Sequence, residues 1–218
     1  DAAEILKELN AELKKVKLAQ LKDWPKQIKD WQKKHPMDYA KSKKIVKPQY
    51  IVELVNKLTK GAEIYTTDVG THQMFACQYL KFTTPRTWAS SGGLGTMGFG
   101  VPASVGAAFG NPKKQIICFT GDGSVQMNIQ ELGTISTNKL NIKIIIFNNY
   151  WLGMVRQWQE MFYKEHYSHT DLIESQPDFM KIAEAYGIKG LTIARPEEAE
   201  QKLKEAFKHK GPVLINAI

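Results

Sequence analysis

An aspartate between two glycines and a pair of adjacent asparagines are the residues of this chain whose spacing suggests chemistry. Asp122 lies in the segment Gly121–Ser124, directly after the apolar run IICFT, and Asn148 and Asn149 follow the apolar run IKIIIF. Both runs suit strands buried on both faces of a parallel sheet, and ligands bind at the carboxyl ends of such strands. Glycine N–H groups and a helix start there favour phosphate, whereas Asp122 would repel it. Mg²⁺ resolves this conflict, because it commonly bridges a carboxylate and phosphates.

The predicted metal shell combines five oxygen ligands. They are the Asp122 carboxylate, the Asn149 amide oxygen, one backbone carbonyl and two oxygens of a diphosphate. The alternative is a tight glycine turn plus an unrelated asparagine turn, which are each common alone. The separation of 27 residues on consecutive strands favours a Mg²⁺–diphosphate site.

The elements around these residues alternate between strand and helix. This alternation predicts an α/β fold with right-handed crossovers, a three-layer α/β/α arrangement around a mainly parallel sheet. The predicted strands are Ala62–Thr67, Ile116–Thr120, Ile142–Phe147 and Val213–Ala217, and the predicted helices are Gln49–Leu58, Met127–Thr137 and Phe179–Tyr186.

The N-terminal part of the chain has a different character. A helical spacing of apolar residues predicts a helix in residues 1–21, capped by Asp1, and residues 22–47 are typical of a linker with one short helix. We therefore expect a helical linker, or the tail of a preceding domain, in residues 1–44 and the α/β domain in residues 45–218. An amphipathic pattern that is already under way at residue 1 suggests a piece of a longer protein.

Composition argues against several classes of protein. Of the net charge of +8, +6 lies in residues 1–47, where lysines and acids are interleaved as on a solvated helix face. No nucleic-acid motif accompanies these charges, so we expect no nucleic-acid partner. No apolar run approaches the ~20 residues of a membrane span, and the charged start is not a signal peptide. Cys77 and Cys118 stand far apart, as expected for reduced thiols in a cytoplasmic protein.

Three further segments carry a family resemblance. They are VGTHQMFACQYL, SSGGLGTMGFGVPASVGAAFG and NNYWLGMVRQWQEMFY. Together with the GDG and NN motifs, they resemble the C-terminal thiamine-diphosphate (TPP) binding domain of the acetohydroxyacid synthase (acetolactate synthase) large subunit, from about Ile45 to the end. The resemblance implies an enzyme of valine and isoleucine biosynthesis. It would decarboxylate pyruvate and condense the hydroxyethyl unit with a second 2-oxo acid, such as 2-ketobutyrate.

The resemblance also implies roles for individual residues. The Gly95 carbonyl would accept a hydrogen bond from the 4'-amine of TPP, and Met97 would support the bent shape of the cofactor. Thr71 stands where the family usually has glutamine, so diphosphate binding would be altered rather than lost. The implied cofactor contacts are Val69, Gly70, Thr71, His72, Gly95, Met97, Gly121, Asp122, Gly123, Ser124, Asn149, Trp151, Leu152, Gly153, Met154 and Val155.

Metal and substrate contacts follow from the same resemblance. Mg²⁺ would be held by Asp122, Asn149 and the main-chain carbonyl of Trp151. Met154 and Trp158 would line the substrate channel. Gly93, Gly95 and Gly98 also match the dinucleotide fingerprint, but the preceding PRTWASS is too polar and short for the strand which that motif requires.

No catalytic residue is assigned within this chain. In the family, the glutamate that activates TPP belongs to an N-terminal pyrimidine-binding domain and acts across a subunit interface. FAD is expected only in the full-length enzyme, whose partners would include further copies of itself and a possible regulatory subunit. The chain would thus be one domain of an enzyme and inactive alone.

Three alternatives stay open. The first is another TPP enzyme, of the pyruvate oxidase or decarboxylase type, although GMVRQW speaks against it. The second is the β subunit of a 2-oxoacid ferredoxin oxidoreductase, which usually brings a cysteine cluster. The third is a cofactor-free scaffold domain, which the presence of Asp122 and Asn149 disfavours.

Overall fold

The computed structural model describes residues 1–17 and 21–218. These fall into two compact units, Asp1–Tyr39 and Ala40–Ile218. In the first unit, helix α1 spans Ala2–Leu13 and helix α2 spans Asp23–Lys34. The predicted cap of α1 is confirmed, because Asp1 Oδ1 accepts a hydrogen bond from the Ala3 N–H at 2.7 Å. The helix is shorter than predicted, and residues 18–20 of the prediction lie outside the described residues.

The second unit is built on a six-stranded, entirely parallel sheet in the order β2-β1-β3-β4-β6-β5. The strands are β1 (Ile64–Thr67), β2 (Trp88–Ser90), β3 (Ile116–Gly121), β4 (Ile142–Phe147), β5 (Lys189–Ile193) and β6 (Val213–Ala217). The helices are α3 (Pro48–Thr59), α4 (Thr71–Tyr79), α5 (Gly100–Gly110), α6 (Asp122–Gln126), α7 (Glu131–Thr137), α8 (Gly153–Phe162), α9 (Phe179–Ala185) and α10 (Pro196–Lys208).

Two hydrophobic cores cover the two faces of this sheet. Successive residues of a strand point to opposite faces, so Ile117 and Phe119 join the core under α3 and α10, whereas Ile116 and Cys118 join the core under α5, α7 and α9. Every residue of β3 and β4 is buried. This is the pattern of central strands between two helical layers, and the predicted three-layer α/β/α fold is confirmed.

Several element predictions need correction. The helix predicted over Met127–Thr137 is two short helices, because α6 begins at Asp122 itself and the chain turns before α7 begins at Glu131. Strands β2 and β5 were not predicted, since β2 has three residues and both lie at sheet edges. The segment before the glycine motif is therefore a short strand after all. Helix α5 was not predicted, because its small, apolar residues show no amphipathic pattern.

The carboxyl ends of β1, β3 and β4 adjoin one another at the same edge of the sheet. The chain leaves these ends into α4, α6 and the turn before α8, so the glycine, aspartate and asparagine motifs meet there. Among the described residues, no helix has the length and apolarity needed to cross a membrane.

Candidate functional site

A cavity of about 230 Å³ lies at this edge of the sheet. It is lined by Phe147 and by all sixteen residues named above as cofactor contacts: Val69, Gly70, Thr71, His72, Gly95, Met97, Gly121, Asp122, Gly123, Ser124, Asn149, Trp151, Leu152, Gly153, Met154 and Val155. These residues come from four separate segments of the chain. The fold therefore brings together the residues that the motifs singled out.

Asp122 is the buried charge of the cavity, with 2% of its surface exposed. Its Oδ2 accepts hydrogen bonds from the Tyr150 N–H at 2.6 Å and the Gln176 Nε2 at 2.9 Å, and its Oδ1 accepts one from the Gly123 N–H at 3.0 Å. Burial raises the pKa of Asp122, and the hydrogen bonds from Tyr150 and Gly123 oppose that rise. No lysine, arginine or histidine among the described residues forms an ion pair with it. A buried carboxylate of this kind is suited to a metal cation.

The turn after β4 is shaped to reach Asp122. Tyr150 has a φ of 61°, which is uncommon for a residue other than glycine and marks local strain. This conformation directs its N–H to the Asp122 carboxylate. The turn is held from the other side, where Leu172 N–H donates to the Tyr150 carbonyl and Leu152 N–H donates to the Thr170 carbonyl.

The two asparagines have different surroundings. Asn149 is exposed, and its Oδ1 accepts a hydrogen bond from the Trp151 N–H at 3.0 Å. That amide oxygen keeps a second lone pair for another partner. Asn148 is buried, and its Nδ2 donates to Gln176 Oε1 at 2.9 Å. Gln176 thus links Asn148 to Asp122 through the two ends of one side-chain amide.

Glycine at position 123 allows leucine side chains to pack directly against the backbone. A Cβ atom there would lie 2.6 Å from Leu152 Cδ2 and 3.3 Å from Leu172 Cδ1. The same Cβ position is 3.8 Å from Met97 Cε, so the methionine approaches the aspartate loop across the cavity. The bare backbone of Gly123 allows this close packing.

Asp68 organises the glycine-rich loop before α5. This carboxylate is fully buried and accepts hydrogen bonds from the N–H groups of Gly98 at 2.5 Å, Phe99 at 3.1 Å and Gly100 at 3.2 Å. It also accepts one from the Thr120 hydroxyl at 3.2 Å. Burial raises the pKa of Asp68, and the hydrogen bonds from Gly98, Gly100 and Thr120 oppose the rise. Asp68 therefore joins the ends of β1 and β3 to the loop that carries Gly95 and Met97.

His72 is a buried, neutral side chain in the cavity wall. It is 4% exposed, and burial lowers its pKa to about 4 despite an opposing hydrogen bond to the Asp68 backbone. Its Nε2 has no hydrogen-bond partner. A buried polar atom without a partner is uncommon and indicates a ligand or a water molecule at that position.

The oxygen atoms of Asp122 and Asn149 suit a divalent cation that is also coordinated by the oxygens of a bound phosphate group. No group of three or more His, Cys, Asp or Glu side chains that could hold a metal ion occurs within residues 1–17 and 21–218. One carboxylate and one amide oxygen are too few for a closed protein site, but they suit Mg²⁺ bound to phosphates. Helices α4 and α8 begin at the cavity, at Thr71 and Gly153, without a side-chain cap, so their N–H groups favour an anion.

One predicted site residue does not line this cavity. Trp158 is 58% exposed on α8, where its ring lies 5.1 Å from that of Phe162. Val155, Met161 and Tyr163 are exposed on the same helix or directly after it. The role of Trp158 in a substrate channel stays a prediction.

The motif analysis missed four residues of the site. Asp68 follows a buried strand in the same way as Asp122, and that position was a usable signal. Phe147 ends β4 beside the asparagines. Gln176 and Leu172 lie in an irregular segment that reaches the site only through the fold, so no local pattern identified them.

Comparison with known proteins agrees with this geometry. Residues 68–217 match the family model described as thiamine pyrophosphate enzyme, C-terminal TPP binding domain. The chain is 48% identical over 197 residues to the acetolactate synthase large subunit of Porphyra purpurea, covering 90% of this chain and 33% of that protein. It is 42% identical over 218 residues to the large subunit of Cyanidium caldarium, covering 98% of this chain and 37% of that protein.

A bacterial relative gives the same picture. The isozyme 3 large subunit of Escherichia coli acetolactate synthase is 44% identical over 211 residues, covering 95% of this chain and 37% of that protein. The chain thus spans about a third of the length of the curated relatives it matches.

Proposed function

Because this chain belongs to the thiamine pyrophosphate enzymes, as their C-terminal TPP-binding domain, we propose that it binds Mg²⁺–TPP and is this domain of an acetolactate synthase. The observation that carries the proposal is the buried Asp122 carboxylate in a cavity lined by every predicted cofactor contact. The high identity to acetolactate synthase large subunits supports the specific enzyme.

In this proposal, Asp122, the Asn149 amide oxygen and the Trp151 carbonyl would hold Mg²⁺. The N–H groups at the starts of α4 and α8, which have no side-chain cap, would hold the diphosphate and offset its charge. Gln176 and the Tyr150 N–H fix the Asp122 carboxylate, so the metal ligand is oriented before the metal arrives.

The thiazolium end of TPP supplies a nucleophilic carbon and an electron sink for 2-oxo acids. The chain's own residues orient that group and exclude water. Met97, Leu152 and Met154 provide the apolar walls of the cavity, while Asp68 holds the loop that carries Met97. Pyruvate and 2-ketobutyrate are the proposed substrates of the whole enzyme. A pyrimidine-binding domain is the proposed source of the activating glutamate, and FAD is proposed for the full-length enzyme only.

Calorimetric titration of TPP into the chain tests the metal and diphosphate assignment. We expect binding with Mg²⁺ that is lost with EDTA and lost in Asp122→Ala. Glu174→Gln, which removes an exposed carboxylate, is the matched control and should bind as the wild type does. Equal TPP affinity with EDTA, or in Asp122→Ala, would overturn the assignment.

Product analysis tests the specific enzyme. The chain would be joined to or co-expressed with a pyrimidine-binding domain of a relative and supplied with pyruvate, TPP, Mg²⁺ and FAD. We expect acetolactate, and 2-aceto-2-hydroxybutyrate when 2-ketobutyrate is added. Acetaldehyde or acetate as the main product would instead identify a decarboxylase or an oxidase.

A further inference from the structure

A second, larger cavity adjoins the cofactor cavity. It has a volume of about 530 Å³, in the range of small-molecule sites. The two cavities share a wall that includes His72, Phe147 and Asn149. The second cavity extends away from the Asp122 loop, towards the start of α3 and the inner side of α8.

Its wall contains an arginine without a carboxylate partner. Arg156 is half-buried, and its guanidinium lies 3.9 Å from the centre of the Trp151 ring and 5.2 Å from that of Tyr167. Within residues 1–17 and 21–218, Arg156 forms no ion pair, although Glu160 lies one helical turn away and also lines the cavity. Stacking fixes the planar guanidinium while leaving its N–H groups free for a planar anion.

A lysine and three helix N-termini add positive electrostatic potential to the second cavity. Lys47 lines the cavity and is likewise without an ion pair in the described part of the chain. Helix α3 begins at Pro48 beside it, with no side-chain cap on its first N–H groups. The starts of α4 and α8 lie on the shared wall. A carboxylate would be stabilised by these charges and dipoles.

The other residues of the cavity wall indicate which groups the ligand should carry besides a carboxylate. His72 Nε2 is a buried atom without a hydrogen-bond partner, and in the neutral imidazole with its proton on Nδ1 this nitrogen is an acceptor. It therefore calls for a hydrogen-bond donor. Val46, Phe75 and Phe147 provide an apolar surface. A suitable ligand combines a carboxylate, a hydroxyl group and a short aliphatic chain.

We propose that this second cavity is a binding site for a short-chain hydroxycarboxylate, with the carboxylate on Arg156 and Lys47 and the hydroxyl donating to His72. This site shares His72 and Asn149 with the Mg²⁺–diphosphate site, but its charged residues Arg156 and Lys47 lie outside the cofactor cavity, and it is formed by the chain without TPP.

Binding of 2-hydroxybutyrate, followed by NMR or calorimetry in EDTA without TPP, tests the proposal. We expect saturable binding that weakens about tenfold in Arg156→Gln, as for the loss of one charge-assisted hydrogen bond. Glu160→Gln should tighten binding about threefold, because it removes the nearby negative charge. Arg195→Gln, which removes a surface arginine paired with Glu197, is the matched control and should leave binding unchanged.

Three comparisons distinguish a hydroxycarboxylate site from simple anion binding and from the TPP site. Butyrate lacks the hydroxyl and should bind more weakly than 2-hydroxybutyrate, whereas inorganic phosphate tests for simple anion binding. Asp122→Ala should keep 2-hydroxybutyrate binding, so failure of the TPP proposal and failure of this one give different results. The absence of saturable binding to the wild type, equal binding in Arg156→Gln, or a preference for phosphate would overturn the proposal.

Discussion

Protonation of His72 should couple the stability of the domain to pH. Burial lowers the pKa of His72 from 6.5 to about 4 in the folded chain. The unfolded chain therefore binds a proton near pH 6.5 that the folded chain does not accept until about pH 4. The free energy of unfolding then falls as the pH drops through this window, and the full effect is about 3 kcal/mol. Between pH 7 and pH 5 the expected loss is about 2 kcal/mol.

Urea denaturation at pH 7 and pH 5 measures this loss. The decisive quantity is the difference between the wild type and His72→Gln, because other groups that titrate in this range contribute equally to both. The wild type should lose about 2 kcal/mol more than the variant on going from pH 7 to pH 5. His166→Gln, which removes an exposed histidine, should keep the full pH dependence of the wild type.

The same pH dependence in His72→Gln and the wild type would refute the reasoning. It would mean that His72 binds its proton at a similar pH in the folded and the unfolded chain. Nε2 would then need a hydrogen-bond partner that the structure does not provide. The 15N chemical shifts of His72 would then report a charged ring at pH 5.

Three further predictions concern the same part of the fold. Asp68→Ala should lower the free energy of unfolding by about 4 kcal/mol in urea denaturation, because several buried donors lose their acceptor; a loss below about 1 kcal/mol would contradict this. Gly100→Ala places a Cβ 2.6 Å from the Asp68 backbone nitrogen and should cost about 2 kcal/mol. Gly106→Ala, on the same helix with no atom near the added Cβ, should instead stabilise the domain by about 0.5 kcal/mol. Thermal melts should therefore show a lower Tm than the wild type for Gly100→Ala and a slightly higher one for Gly106→Ala. Ellman's reagent should titrate exposed Cys77 in the native chain, but buried Cys118, whose pKa is raised to about 12 by burial, only after unfolding.

Local chemistry was enough to identify the central part of the site. IKIIIF and IICFT are apolar and β-branched, so they could be assigned to central strands, and their carboxyl ends gave the positions of Asp122 and Asn149. The remaining contacts at positions 69–72, 95–97 and 151–155 came from family resemblance. Their meeting in one cavity depends on the strand order, which local patterns do not contain.

The residues that were missed depend on distant parts of the chain. Gln176 contacts Asp122 across 54 positions of sequence, from a segment without regular structure. The stacking of Arg156 on Trp151 and Tyr167 depends on the antiparallel bridge between Trp151 and Asp171, a pairing that neither segment predicts alone. Edge strands β2 and β5 are short and partly exposed, so they lack the apolar runs that identified β3 and β4.

The position of β6 in the sheet has a consequence for synthesis on the ribosome. Strand β5 pairs only with β6 within the described residues, and β6 lies between β4 and β5 although it comes after both in the chain. While residues 213–217 are still inside the exit tunnel, β4 has an open edge and β5 has no partner. Two of the six strands must therefore assemble late, and chaperones have an apolar edge to bind until then. Pulse-labelling hydrogen exchange during refolding should show β5 amides becoming protected together with β6; protection of β5 together with β4 before β6 would exclude this order.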